Sequence, residues 1–281
     1  MLGPSDLVLC AGTLLHASFV ERVKAASAAG FSAISLWSED YERARAAGLS
    51  PADMRSILAD HGLEIAELDA VTRWLPTNDD TVLDGPFDHG ADELLAIADA
   101  VGGRSLNVVE IFGTRVPVQV AAEAFAHLCD RAREHGLLVH LEFLPWSAVP
   151  DLASAWEIVR LADRPNGGVL LDTWHHIRSR EGNAALRAVP ADRIFALQLS
   201  DAPAEPDGDM LDETMRRRRL PGEGDGNLAE VIRVLDEVGC RAPVGIEVFS
   251  DTLSALPPDE VARRAADATR RVLAAAREET R

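Results

Sequence analysis

Four short apolar runs each end in a side chain that could give an oxygen to a metal ion. Val139–His140–Leu141 ends in Glu142, Val169–Leu170–Leu171 in Asp172, Ile194–Phe195–Ala196–Leu197 in Gln198, and Val244–Gly245–Ile246 in Glu247. Three carboxylates and an amide form a hard, oxygen-only donor set. Such a set suits Mn2+ or Mg2+ and matches poorly the sulfur- and nitrogen-rich sites of structural zinc. Carboxylates gathered without partners repel one another, and a divalent cation offsets that repulsion. Any one of the four reads equally well as a helix N-cap or a solvated loop residue. Together, at equivalent places on consecutive strands, they point to one site.

The elements that must bring these residues together alternate along the chain. Leu7–Cys10 reads as a strand, followed by a helix from about Ser18 to Ala29 with Phe19, Val20, Val23 and Ala26 at helical spacing. The next strand is Ala33–Leu36. Ser50–Pro51 sets an N-cap and a first-turn proline for a helix running to His61–Gly62. A strand at Glu64–Leu68 leads into a loop from Asp69 to about Asp88, too long to be a mere connection. Helix Asp88–Val101, strand Ser105–Val109, helix Val118–His135 and strand Leu137–Glu142 follow. Then come helix Asp151–Ala162, the strand ending at Asp172, a short helix near Ala184–Ala188 and the strand ending at Gln198. Asn227 caps a helix that Gly239 ends, the last strand closes at Glu247, and a helix runs from Pro258 to Arg281. Eight β units separated by helices predict an α/β fold, a single (β/α)8 TIM barrel over residues 1–281 with a C-terminal helix. An open dinucleotide-binding sheet would want GxGxxG after its first strand, where Ala11–Gly12–Thr13–Leu14 stands instead. In a barrel, the carboxyl ends of the strands form the active face.

Composition narrows the partners. A formal net charge of −18 opposes binding to nucleic-acid phosphates or anionic membranes, though a locally basic pocket could still take an anionic substrate. Cys10, Cys129 and Cys240 lie far apart without CxxC spacing, as in a reducing cytoplasm. The first residues lack a basic and then apolar leader. No apolar run reaches the roughly 20 residues of a spanning helix. The expectation is a cytoplasmic protein with neither a nucleic-acid nor a membrane partner.

Glu142, Asp172-x-x-His175, Gln198-x-x-Asp201, Arg219–Leu220–Pro221–Gly222–Glu223–Gly224 and Glu247 together resemble the xylose-isomerase-like TIM barrel superfamily, over nearly the whole chain. This is the group of sugar phosphate isomerases and epimerases, inosose dehydratases and family 2 AP endonucleases. The resemblance implies one divalent metal ion, Mn2+ first, with Mg2+, Co2+ or Zn2+ as alternatives. Its ligands would be Glu142, Asp172, Gln198 and Glu247. Glu142 and Glu247 would also be the catalytic pair, exchanging protons on opposite faces of the substrate carbon. That is sound chemistry, since removing a proton beside a carbonyl needs a base near each face and a cation near the oxygen.

The resemblance further implies that His175 binds or polarises the substrate and that Arg219 contacts it or its phosphate. Asp201, in the same motif, and Arg73, in the long loop, complete the substrate-binding set. One position departs from the epimerase pattern, where the third ligand is a histidine. Gln198–Leu199–Ser200–Asp201–Ala202 is similar instead to bacterial 3-dehydroshikimate dehydratases, which take the same proton and then expel water. The expected activity is therefore a sugar (phosphate) isomerase or epimerase, with a 3-dehydroshikimate- or inosose-type dehydratase as the alternative. AP endonucleases need several metals, more histidines and a basic groove, and these are not evident here. The expected partner is a small polyhydroxylated or keto-acid substrate. Relatives also suggest a homo-oligomer and leave open a partner subunit.

The remaining polar residues have plainer readings. His140, one layer below Glu142, reads as a core histidine, and His176 as structural. Arg216, Arg217 and Arg218 read as a solvated face. His16 and Glu110 could line the pocket, and Trp37, Trp74, Trp146 and Trp174 follow strands at its mouth. The glycines around Glu223 either let backbone approach a ligand or make a tight turn before Asn227.

Overall fold

The structure, a computed structural model, describes residues 2–76 and 89–278. Eight parallel strands close into a barrel in chain order. They are β1 (Leu7–Leu9), β2 (Ala33–Trp37), β3 (Glu64–Val71), β4 (Ser105–Val109), β5 (Leu138–Glu142), β6 (Gly167–Asp172), β7 (Ile194–Leu199) and β8 (Val244–Ile246). Register brings Asp172 of β6 beside Gln198 of β7, and Gln198 beside Gly245 of β8. Leu9 of β1 pairs with Ile246 of β8 and closes the ring.

The apolar strands are buried on both faces, as expected where helices cover a parallel sheet. Leu36, Leu106, Leu141, Val169 and Leu171 belong to one continuous core with the helix residues Met54, Leu94, Phe125, Ile158 and Val231. Local chemistry sets the helix ends. Ser18 and Glu21 form a reciprocal capping box at the helix Phe19–Ala28. Ser50 and Asp53 do the same for Pro51–Asp60, with proline in the first turn. Gly239, at φ +84°, ends Leu228–Val238 in the left-handed conformation. Asn227 does hold the N-cap position of that helix, but its side chain donates to Glu230 Oε2 at 2.7 Å and accepts no backbone N–H. The long helix Pro258–Glu278 packs on Phe19–Ala28 and Leu228–Val238.

Several bounds differ from the sequence reading. Helices Ser38–Ala46, Thr173–Ser179 and Met210–Arg216 were not anticipated. The element near Ala184 is a 3₁₀ turn, Ala185–Ala188. β3 runs on to Val71, so the long loop starts later, and its residues 77–88 lie outside the described residues. The following helix starts at Ala91. The last three residues of the expected terminal helix also lie outside. Among the described residues no helix is long and apolar enough to cross a membrane, and all three cysteines are free and buried.

Candidate metal centre

Asp172 does two jobs at once. As the last residue of β6 it caps the helix Thr173–Ser179, its Oδ1 accepting the backbone N–H of His175 at 3.1 Å. The same turn lifts the His175 ring over the barrel, with Nε2 3.3 Å from Glu142 Oε1 and 4.0 Å from Asp172 Oδ2. One ligand atom from each of Glu142, Asp172 and His175 lies within 4.8 Å of the others. Trp146 and Trp174 hold the imidazole edge-on, each at 5.3 Å between ring centres.

Arg218 enters from the far side. Its Nη1 donates to Asp172 Oδ2 at 2.6 Å and lies 3.6 Å from Glu247 Oε2. Burial raises the Asp172 pKa, but Arg218 and His175 outweigh it, so the carboxyl sits below its ordinary range. Glu247 goes the other way, pushed well up first by burial and then by the neighbouring Glu142, Asp69 and Asp172, against the pull of Arg218. The guanidinium rests on the Phe249 ring at 4.8 Å and on Trp174 at 5.4 Å. Trp174 in turn donates its Nε1–H to Glu213 Oε1 at 3.1 Å.

Gln198 donates its Nε2 to Glu67 Oε2 at 3.1 Å, and its Oε1 is buried with no partner among the described residues. A buried amide oxygen left bare asks for a donor or a cation. Glu142 is oriented from below. Its Oε2 accepts from Asn107 Nδ2 at 2.6 Å, Asn107 Oδ1 lies 3.2 Å from His140 Nδ1, and His140 Nε2 lies 3.0 Å from Ser105 Oγ. Burial drops His140 to about 3, so this core ring is neutral and steers the carboxylate through Asn107. The donor set fits one divalent cation. It combines crowded carboxylates, an orphaned amide oxygen and one imidazole nitrogen.

Most of the other sequence candidates have partners of their own. Asp201 is 1% exposed, and its carboxylate accepts the backbone N–H groups of Ala202, Gly222, Gly224 and Gly226 at 2.9–3.1 Å. It is the post around which the Pro-Gly-Glu-Gly loop winds. A Cβ at Gly224 would stand 2.5 Å from Asp201 Oδ1, so this glycine is required by close approach to that carboxylate. Arg219 is exposed, 4.0 Å from Asp225 Oδ2 and 3.4 Å from the Glu223 carbonyl oxygen. It is Arg218 that reaches the site, so the solvated-face reading of Arg218 is corrected. Arg73 is half-buried, 5.8 Å from the centre of the Phe112 ring. Glu110 does not line the pocket as a free carboxylate, because the N–H groups of Phe112, Gly113, Thr114 and Ala148 saturate it. His16 is exposed, and His176 bonds Asn183 Oδ1 at 3.0 Å, a structural contact. Trp37 stacks on Phe249 at 6.0 Å, and Trp74 donates to the Val109 carbonyl at 3.0 Å.

Two buried carboxylates on β3 were not foreseen. Glu67 and Asp69 are 1% and 5% exposed, two residues apart on one strand face. Burial, then the negative charge of Glu142, raises Asp69 to about 7, with Ser35 and Asn107 pulling back in part. A strand that alternates apolar and acidic residues ordinarily turns its acids to water, which hid them.

Comparison with known proteins agrees with the barrel fold. The family described as "Xylose isomerase-like TIM barrel" matches residues 23–272. A 3-dehydroshikimate dehydratase of Pseudomonas putida is 29% identical over 273 residues, covering 92% of this chain and 40% of that one. An inosose isomerase of Halalkalibacterium halodurans is 31% identical over 144 residues, half of each chain. The chain thus spans about half or less of the length of these curated relatives. Among solved structures, the IOLI protein with a bound zinc atom superposes with a TM-score of 0.84 at 20% identity, covering 96% of this chain and 98% of the other.

Proposed function

The chain belongs to the xylose isomerase-like TIM barrel family, and we propose that it is a divalent-metal-dependent isomerase or epimerase of a small polyhydroxylated carbonyl compound. The observation that carries this reading is the placing of Glu142 and Glu247, on β5 and beyond β8, on either side of the paired Asp172 and Gln198. A proton can then leave one face of a carbon and return to another. Glu142, fixed by Asn107, takes or returns the proton on its side, and Glu247 does so on the other. His175 Nε2 is near enough to Glu142 to hold a substrate oxygen beside it. Trp146 and Trp174 keep water from that edge. Glu142, Asp172, Gln198 and Glu247 would hold the cation, with His175 as a further donor. The cation's contribution, when bound, is positive charge beside the substrate carbonyl oxygen. Mn2+ suits the oxygen-rich set best, and the zinc in the IOLI structure keeps Zn2+ in the panel.

A second reading, elimination of water after the same proton abstraction, is favoured by Gln198 and by the dehydratase relative across 92% of the chain. Incubation with ketoses, an inosose and 3-dehydroshikimate in D2O separates the two. The isomerase reading expects deuterium at the reacting carbon of a rearranged product. A conjugated, ultraviolet-absorbing product would transfer the chain to the dehydratases. Neither outcome across the metal-loaded panel would remove proton abstraction altogether.

A further inference from the structure

Neither oxygen of the Asp69 carboxylate makes a well-formed hydrogen bond among the described residues, Ser35 and Asn107 standing near enough to hold its pKa down only in part, and the side chain is 5% exposed. It stands on the same face of β3 as Glu67, which reaches Gln198 across the barrel, and two residues nearer the mouth. At roughly 3.3 Å per residue that is one layer nearer the mouth than Glu67, close enough to Glu142 for the two negative charges to act on each other. Its backbone pairs with Trp37, the last residue of β2. We propose that Asp69 determines specificity in this site by accepting hydroxyl groups of a neutral polyhydroxylated ketone and by turning away substrates that carry a carboxylate. This rests on the proton-abstraction reading above and names the substrate class within it.

Charge supports the assignment. Five buried carboxylates, Glu67, Asp69, Glu142, Asp172 and Glu247, crowd the barrel end against the buried guanidinium of Arg218 and, on the Glu67 side only, the half-buried one of Arg104. Arg218 is already committed to two of them. A divalent cation would ease the crowding without creating a positive pocket on the β3 side. A carboxylate brought against Asp69 would meet like charge, whereas a hydroxyl donates a proton to an oxygen without a well-formed bond. A second cation beside Asp69 is the poorer occupant. Among the described residues, no imidazole is placed beside Asp69 as His175 is beside Glu142 and Asp172.

The test is calorimetric titration of the full chain, equilibrated with Mn2+, with an inosose and with 3-dehydroshikimate. Wild type is expected to bind the inosose at least about tenfold more tightly than the keto acid. Asp69→Asn keeps the shape and removes the charge. It is expected to weaken the inosose by about tenfold and to tighten 3-dehydroshikimate. Asp69→Ser, smaller and uncharged, should move both affinities the same way, which guards against a folding defect in one variant. Equal or tighter binding of the keto acid by wild type, an unmoved inosose affinity in both variants, or no binding of either ligand overturns the proposal. Solvent-deuterium exchange on the same samples keeps the two readings apart. Exchange into 3-dehydroshikimate in preference to the inosose overturns the role of Asp69 and leaves proton abstraction standing. The expected affinities without exchange into either ketone do the reverse.

Discussion

Arg218 donates to Asp172 Oδ2 at 2.6 Å while its neighbour Arg219 lies in solvent beside Asp225. Arg217 bridges Ser250 and Arg219 bridges Asp201, and Arg218 between them turns its side chain inward to Asp172. Removing the guanidinium with Arg218→Met should lower turnover by about 10²–10³, the usual loss for a buried charge that serves the transition state. Arg219→Met should stay within about threefold, as a surface change away from special features does. Metal content should hold in both, because neither side chain offers an oxygen or a neutral nitrogen. The reverse ranking in kcat/KM would restore Arg219 to the site.

Gln198 offers a sharper test of the metal set than the carboxylates do, since its replacement changes no charge. Elemental analysis after exposure to Mn2+ and removal of the excess should find about one equivalent in wild type. Gln198→Leu and Asp172→Ala should bind little. Gln198→His should keep a full equivalent and shift preference from Mn2+ toward Zn2+, because imidazole is the softer donor. A full equivalent of Mn2+ in Gln198→Leu would remove the amide from the ligand set.

How much could be read from the chain depends on what each residue's neighbours reveal. The eight strands stood out because apolar runs such as Val169–Leu171 are buried on both faces and bounded by turn residues. Glu142, Asp172, Gln198 and Glu247 stood out because each ends such a run. Helix Ser38–Ala46 was missed because its sequence is mostly polar and shows no apolar stripe, with Ser38, Asp40 and Ala44 its only buried residues. Helix Thr173–Ser179 was missed because it starts without a loop, on the carboxylate that also ends β6. Arg218 read as solvated because the four arginines at 216–219 run together, and only its contact with Asp172 singles it out. Asp69 could not be found from pattern at all, since only closure of the barrel turns a β3 acid inward.

Asp201 predicts a loss of stability, not of metal. Four backbone N–H groups converge on its two oxygens, and all would lose that acceptor in Asp201→Ala, Ala202 N–H in a buried setting and the three glycine N–H groups in part-buried ones. The variant should be less stable by about 2–4 kcal/mol in urea denaturation, with metal content near that of wild type once folded. Unchanged stability together with lost substrate affinity would make Asp201 a ligand contact and not the anchor of its loop.

His89 should give the chain a pH-dependent stability that one substitution removes. Its Nε2 lies 2.7 Å from Glu39 Oε1 and 2.8 Å from Ser38 Oγ, and its Nδ1 lies 2.9 Å from Glu93 Oε2. The bond to Glu39 raises the ring to about 9, against burial and with help from Glu93. The folded state therefore holds this proton more tightly than the unfolded chain, where a histidine titrates near about 6.5. Stabilisation is complete below the unfolded value, declines as pH rises from there, and is gone once the folded ring has lost its proton. The gap in unfolding free energy between wild type and His89→Gln should be widest near about pH 6 and close above about pH 9. Other titrating groups are common to both proteins and cancel in that difference. A gap constant across the range would mean that His89 is held as a neutral ring, and that its contacts with Glu39 and Glu93 carry no net charge pairing.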